Sequence, residues 1–372
     1  MMDWEEVEWN EVLTIRNGKN QKAVADPNGK YPIYGSGGVM GYANDFLCDE
    51  GTTIIGRKGS INKPIFVNKK FWNVDTAFGL CPLERMDNKF FYYFCTTYNF
   101  LKHNKATTLP SLTKADLLKI KIPLPPLATQ RKIAAILDEA DKVRRLNKQL
   151  IEKYDALTQS LFLDMFGDPV TNPKGWEKVK LSEVCTKITD GTHHSPEPQS
   201  EGFPYVTAKH VKKSGLDFYS KPSYVDEESH KEIYKRCTPE YGDILYIKDG
   251  ATTGIACINT FREPISMLSS LALLKLKKGN IGNYYLCYWL NHSGIKAKLI
   301  SEFMSGAAIQ RYTLKKINSF SLTIPPINLQ NQFAERVQAI EQQNAQAQAS
   351  LQKSEELFGS LLQRAFKGEL SV

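Results

Sequence analysis

A long segment that opens on Pro125-Pro126 recurs 200 residues later, opening on Pro325-Pro326. Each copy carries a glutamine five residues after its first proline, Gln130 in one and Gln330 in the other. Apolar residues then follow in alternating steps of three and four. Sustained over about four heptads, this spacing predicts a long helix with a coiled-coil seam. The prolines end any helix upstream, because proline lacks the backbone N–H. The chain is therefore predicted to hold two copies of one architecture, each closed by a long helix.

The spacing also predicts which helical residues pair. Asn147 and Asn344 interrupt the two seams, and a polar residue at such a position fixes register at a cost in stability. Two unrelated core helices are the alternative, which the shared spacing and end signals disfavour. The residues expected to pair the helices are Ile136, Val143, Asn147, Leu150, Tyr154, Leu157 and Leu161 in the first helix and Phe333, Val337, Ile340, Asn344, Leu351, Phe358 and Leu361 in the second.

The remaining sequence forms two globular segments with a common opening, which begins at Trp4 in one and Trp176 in the other. Both continue with strand-like runs that end in glycine turns. The predicted fold class is α+β, with two mixed α/β globular domains separated by a pair of long antiparallel helices and related by an internal pseudo-two-fold repeat. Antiparallel helices are expected because a compact domain has its termini close together. The predicted segments are residues 1–125 (first domain), 126–166 (first helix), 167–325 (second domain) and 326–372 (second helix).

The net charge of +8 lies on the globular segments, and the two helical segments are close to neutral. A basic excess of this kind is typical of a polyanion-binding surface or of an ordinary solvated surface. The seven cysteines form no C-x-x-C pair, and no phosphate-binding glycine motif is present. His193-His194 is the best metal candidate, but a solvated loop is the preferred interpretation, so no metal and no catalytic residue are predicted. No secretory signal or membrane-spanning run is found, so a cytoplasmic protein without membrane contact is expected.

Three features together resemble the specificity subunit of type I restriction–modification systems. They are the two W-x-x-V-x-[LW]-x-E-V openings, the strand Gly242-Asp243-Ile244-Leu245 before a glycine loop, and the Pro-Pro-Leu-x-x-Gln-Arg-Lys-Ile run that opens the first helix. The second helix departs from that run, with Ile-Asn-Leu-Gln-Asn-Gln-Phe at residues 327–333. The resemblance implies two target recognition domains, each reading half of a bipartite site in double-stranded DNA. The paired helices would act as a spacer and as the docking surface for two modification subunits.

The resemblance further implies that chemistry lies in partner subunits. S-adenosylmethionine, Mg and ATP are expected in the modification and the restriction/translocase subunits, with no cofactor in this chain. Base edges would be read by loop side chains, while lysine and arginine hold phosphates. The expected DNA contacts are Arg57, Lys58, Ser60, Asn62, Lys63, Thr108 and Ser111 in the first domain, and Thr207, Lys209, His210, Lys248, Asp249, Thr252, Thr253, Gln310 and Arg311 in the second.

Two alternatives belong to other functional classes. One is a protein-interaction scaffold with no role on DNA, which the long helices alone would equally suit. The other is a fused methyltransferase or nuclease, for which the sequence offers neither a cofactor loop nor a set of metal-binding carboxylates.

Overall fold

The structure of the protein, a computed structural model, describes residues 4–104, 110–304 and 311–370. Contacts within the chain divide it into two units. The first unit comprises Met1–Leu150 and Ala347–Val372, and the second comprises Ile151–Gln346. Each long helix therefore contributes one part to each unit, whereas the predicted boundaries treated each helix as a segment of its own.

The first unit is built on small sheets that surround an aromatic core. A four-stranded antiparallel sheet has the order β2-β8-β5-β6, a three-stranded sheet has the order β4-β3-β7, and β1 pairs with β9. Trp9 is fully buried in this core and lies edge-on to Phe91 at 5.0 Å. The elements are β1 (Glu5–Glu8), α1 (Trp9–Val12), β2 (Leu13–Asn17), β3 (Tyr31–Gly35), β4 (Gly38–Ala43), β5 (Thr52–Gly56), β6 (Ile65–Val67), β7 (Trp72–Asn73), β8 (Ala77–Pro82), α2 (Asn88–Thr97), a 3-10 turn (Phe100–His103), α3 (Lys114–Leu117), β9 (Lys121–Leu124) and α4 (Leu127–Phe166).

The second unit repeats this strand order. Its sheets are β11-β19-β16-β17, β15-β12-β18 and β10-β20, which match the three sheets of the first unit strand for strand. It adds the hairpin β13-β14 and the helix α6. The elements are β10 (Glu177–Lys180), α5 (Leu181–Val184), β11 (Cys185–Asp190), β12 (Phe203–Val206), β13 (Val211–Lys212), β14 (Gly215–Leu216), β15 (Tyr224–Val225), α6 (Glu227–Arg236), β16 (Ile244–Ile247), β17 (Ala256–Ile258), β18 (Ser266–Met267), β19 (Leu271–Leu276), α7 (Asn283–Asn291), α8 (Ser293–Phe303), α9 (Leu314–Asn318), β20 (Ser321–Ile324) and α10 (Ile327–Phe366).

The long helices α4 and α10 begin directly after their Pro-Pro pairs and pack antiparallel within each unit, as predicted. Residue numbers rise along one helix as they fall along the other. The cross-helix contacts are Arg144–Phe358, Asn147–Ser354 and Lys148–Glu355 in the first unit and Asp155–Asn344, Phe162–Phe333 and Phe166–Phe333 in the second.

The predicted α10 seam consists of residues that are buried or half-buried in the structure, namely Phe333, Val337, Ile340, Asn344, Leu351, Phe358 and Leu361. In α4 the structure half-buries Asn147, Tyr154 and Leu161. The prediction is wrong at the other four α4 positions, where the side chains are exposed: Ile136 (37%), Val143 (50%), Leu150 (39%) and Leu157 (49%).

The inward residues of α4 lie one position later, at Leu137, Arg144, Ile151 and Thr158. Two sets of α4 residues, each spaced alternately by three and four positions, include Asn147. The set with more apolar residues was predicted to form the seam. The structure uses the other because Arg144 is inward by contact rather than by hydrophobicity. Its guanidinium lies 4.6 Å from the centre of the Phe358 ring.

Candidate nucleic-acid interface

In the first unit, a polar loop follows the buried strand β5. All five residues of β5 are buried. The strand ends at Gly56, where a Cβ atom would lie 2.5 Å from the carbonyl oxygen of Ser60, so only glycine permits this turn. The loop that follows exposes five predicted contacts, Arg57, Lys58, Ser60, Asn62 and Lys63.

A second predicted segment, around Ser111, lies against this loop. Lys58 and Ser111 form an antiparallel β-bridge, and the Leu112 N–H donates to the carbonyl oxygen of Arg57 at 2.9 Å. The structure thus brings together residues more than fifty positions apart. Thr108 lies outside the described residues.

Asn62 anchors the loop as well as being exposed. Its Oδ1 accepts from the backbone N–H of Phe100 at 2.8 Å, and its Nδ2 donates to Oδ1 of Asn99 at 2.9 Å. These bonds tie the far end of the loop to the segment after α2. We therefore assign Asn62 a positioning role in the loop.

The second unit repeats the arrangement after β16. Asp249 and Arg311 form an antiparallel β-bridge, and Nε of Arg311 lies 3.5 Å from Oδ2 of Asp249. The Tyr312 N–H donates to the carbonyl oxygen of Lys248 at 2.8 Å. In both units one surface is formed by two segments. They are the loop after β5 or β16 and the segment leading to α3 or α9. Gln310 lies outside the described residues.

Two predicted contacts in this second loop face inward. Lys248 is 2% exposed, and its Nζ lies 3.3 Å from Oδ2 of Asp190, which is also buried. Thr253 is fully buried and donates its hydroxyl to the carbonyl oxygen of Gly250 at 2.6 Å. Because a buried charge needs a partner, Lys248 fixes the loop rather than facing solvent. Thr252 is exposed and Asp249 is half-buried.

His210 also faces inward, contrary to the expected direct contact with DNA. Its ring is fully buried, with Nδ1 accepting from the Thr207 N–H at 3.0 Å. The other ring nitrogen, Nε2, therefore donates to the carbonyl oxygen of Lys221 at 2.9 Å. Burial lowers the pKa of His210, which keeps the imidazole neutral. It organises a loop on which Lys209 is exposed and Thr207 half-buried.

Sequence reasoning missed the basic hairpin β13-β14, which carries Lys212 and Lys213. A signal was present, because the offset between the two repeats grows from 172 at Tyr34 and Val206 to 191 at Gly56 and Ile247. That growth marks an insertion in the second copy, and the hairpin lies within it.

Within residues 4–104, 110–304 and 311–370, no group of three or more histidine, cysteine, aspartate or glutamate side chains could hold a metal ion. No helix in those same ranges combines the length and apolar character needed to cross a membrane.

Comparison with known proteins gives consistent matches. The profile of the type I restriction modification DNA specificity domain matches residues 1–154 and 173–355. The type I restriction enzyme MjaVIII specificity subunit of Methanocaldococcus jannaschii is 25% identical over 370 residues, covering 91% of this chain and 86% of that protein. A second protein of that organism, designated the MjaX specificity subunit, is 28% identical over 260 residues, covering 64% of this chain and 56% of that protein.

Among solved structures, the S subunit of a type-I restriction-modification system from M. genitalium superposes with a TM-score of 0.69 at 20% identity. The alignment covers 98% of this chain and 96% of that one. At this level of identity the match supports the fold.

Proposed function

The chain belongs to the type I restriction modification DNA specificity family, and from that premise we propose that each of its two units reads one half of a bipartite site in double-stranded DNA. It is the DNA specificity subunit of a type I restriction–modification system, and this family is non-catalytic. The observation that carries the proposal is the loop arrangement common to both units. In each, a β-bridge joins two polar loops at the end of a buried strand, Lys58–Ser111 in one and Asp249–Arg311 in the other.

Within the first unit, we assign phosphate and base contacts to the exposed residues of the loop after β5. Lysine is a point charge suited to phosphates, which favours that role for Lys58 and Lys63. Arginine can donate two parallel hydrogen bonds to guanine O6 and N7, which favours base contact for Arg57. Ser60 and Ser111 can donate to or accept from base edges.

Within the second unit, we assign base reading to Arg311. Asp249 approaches the guanidinium through Nε, so it can orient the group while the terminal nitrogens face a guanine. Thr252 and Lys209 extend this surface, with the loop backbone held by Lys248 and His210. The two units place different side chains at equivalent positions, so the two half-sites should differ in sequence.

We further propose that α4 docks modification subunits. In the first unit Ile136, Val143, Leu146 and Leu150 form an exposed apolar stripe on this helix. Apolar residues at heptad spacing commonly bind another helix, and an exposed apolar stripe marks an interaction surface. Such partners, with restriction/translocase subunits, would supply S-adenosylmethionine, Mg and ATP. The assembly would work in the cytoplasm on chromosomal DNA.

The test is a methylation map of DNA from cells that express this chain with its cognate modification subunits. Arg57→Ala should relax one position of one half-site, and Arg311→Gln one position of the other, since a lost base contact costs about 1–3 kcal/mol. Methylation that persists unchanged without this chain would instead support the scaffold function, which the apolar stripe alone would also fit.

Matched control lysines lie near the starts of β5 and β16, at the opposite ends of these strands from the candidate loops. Lys69 follows β6, whose Val67 pairs with Thr52 at the start of β5. Lys278 follows β19, whose Leu274 pairs with Ile244 at the start of β16. Both lysines are exposed, and Lys69→Ala and Lys278→Ala should leave the methylated sequence unchanged.

A further inference from the structure

The hairpin β13-β14 is held firmly in the second unit. Val211 pairs with Leu216 and Lys212 with Gly215, which places Lys213 in the turn. Val211 is buried in a cluster with Ile247 and Cys257, the residues of β16 and β17 that flank the 248–254 loop. Lys213 is exposed at the tip. In the described part of the first unit, β3 leads into β4 through a short glycine turn and no such hairpin occurs.

Lys296, on the first turn of α8, reaches the end of the same loop. A Cβ atom at Gly254 would lie 3.1 to 3.3 Å from the Cε, Cγ and Cδ atoms of Lys296. Gly254 also has a φ of +92°, a conformation that favours glycine. The aliphatic part of Lys296 is thus packed along the end of the loop.

Lys296 lies within electrostatic reach of Lys213. Burial lowers the pKa of Lys296, and the positive charge of Lys213 lowers it further. Among the described residues, no carboxylate lies within ion-pair distance of either lysine, whereas Lys298 on the same helix lies 3.8 Å from Glu302. Two lysines that border the same loop without an acidic partner favour binding of an anion.

We propose that Lys213 and Lys296 bind a backbone phosphate of the half-site read by the second unit. The inference rests on the proposed DNA function and adds to it a contact that carries no sequence information. A phosphodiester has two non-bridging oxygens that share one negative charge, and both can accept hydrogen bonds from ammonium groups. The described part of the first unit has no equivalent hairpin, so the contact made by Lys213 strengthens binding on one half-site and helps set how the second unit lies on the duplex.

The test measures DNA binding by the full chain assembled with its modification subunits, using the cognate duplex identified by methylation mapping and a non-cognate duplex. Lys213→Gln and Lys296→Gln should each weaken binding about tenfold at low salt, the loss expected for one charge-assisted hydrogen bond. Both duplexes should be affected alike, and the double variant should lower the slope of log affinity against log salt by about 0.9. Lys298→Gln, on the same helix, should bind as wild type does.

A second arm of the experiment locates the phosphate and distinguishes failure of this inference from failure of the proposed DNA function. A duplex with uncharged methylphosphonates at the second half-site should bind wild type and the double variant equally. On the unmodified duplex, Lys213→Arg combined with Lys296→Arg keeps both charges and should bind as wild type does. The inference is overturned if the glutamine variants keep wild-type affinity and salt slope, or lose affinity only for the cognate duplex, as base-reading residues would. Absence of salt-dependent binding by the wild-type complex would instead overturn the proposed DNA function itself.

Discussion

Gln130 and Gln330 make the same two hydrogen bonds in the two units. Each Nε2 donates at 2.8 Å to the carbonyl oxygen of the first proline of its Pro-Pro pair. Each Oε1 accepts at 2.8 Å from a backbone N–H, that of Asp87 in one unit and of Gly282 in the other. Asp87 and Gly282 cap the N-termini of the equivalent helices α2 and α7. The glutamine therefore ties the start of each long helix to the start of α2 in the first unit and of α7 in the second.

Replacing Gln130 by methionine should destabilise the protein by about 1–3 kcal/mol. Methionine has a similar volume but leaves the Asp87 N–H and the Pro125 carbonyl without this partner in a buried site. Calorimetry of the full chain should show a lowered Tm. Gln149→Met, at an exposed position of the same helix, is the control and should leave the Tm within a degree or so of wild type. An equal effect of both substitutions would argue against the stabilising role of the Gln130 hydrogen bonds.

Breaking the buried pair Lys248–Asp190 should destabilise the protein more than replacing both of its residues. Asp190→Asn leaves the Lys248 ammonium buried without its anion, which should cost about 3–5 kcal/mol. Adding Lys248→Met should recover most of that loss, because the uncompensated charge is then removed. Urea denaturation of the two single variants and the double variant forms the cycle that measures the coupling.

The control for this cycle is the pair Lys231–Glu227, whose side chains are 67% and 68% exposed. Exposed ion pairs contribute about 0–1 kcal/mol, so Glu227→Gln should have little effect. Equal losses at Asp190 and Glu227 would contradict the assignment of Lys248 to the interior.

His210 should make the protein less stable at mildly acidic pH. Its folded pKa lies below the ordinary value of 6.5, so below that pH the unfolded chain takes up a proton that the folded chain resists. The stability gained from neutral His210 is therefore complete above pH 6.5 and is lost as the pH falls towards the folded pKa. Tm measured from pH 8 to 5.5 should fall.

The variant His210→Gln should show a shallower fall in Tm over the same range. Some slope should remain, because burial also lowers the pKa of His230 and of His292. His194→Gln, in an exposed loop, controls for histidine replacement as such. An unchanged slope in His210→Gln would rule out the buried neutral imidazole.

The apolar stripe of α4 should be required for partner binding. Val143→Lys and Leu150→Lys place charges on the stripe and should reduce co-purification of the modification subunit at least tenfold, since a charge buried at an interface is costly. Both side chains are already solvent-exposed in this chain, so the Tm of the isolated subunit should change little. Gln149→Lys adds the same charge outside the stripe and should preserve binding. Normal recovery of all three complexes would exclude this face.

The long helices were predictable because their signals are local. Proline before Leu127 and Ile327, and apolar residues at helical spacing, act on neighbouring parts of the chain. The phase of the α4 seam was not predictable, because the packing of Arg144 against Phe358 depends on a residue of the other helix. The loops of the candidate interface were predicted as polar turns from local sequence, but the inward direction of His210 and Thr253 depends on hydrogen bonds formed by the folded loops.

By itself, the sequence determined the duplicated architecture and the start of each long helix, since both follow from short-range patterns that appear twice. Only the tertiary structure decided which polar side chains meet solvent. Lys248 looks like a surface lysine in sequence, yet it is paired with Asp190. Lys248 directly follows β16, whereas Asp190 ends β11 of the same sheet. Burial of a charge depends on a partner brought close by folding, and that partner lies far outside any local window of the sequence.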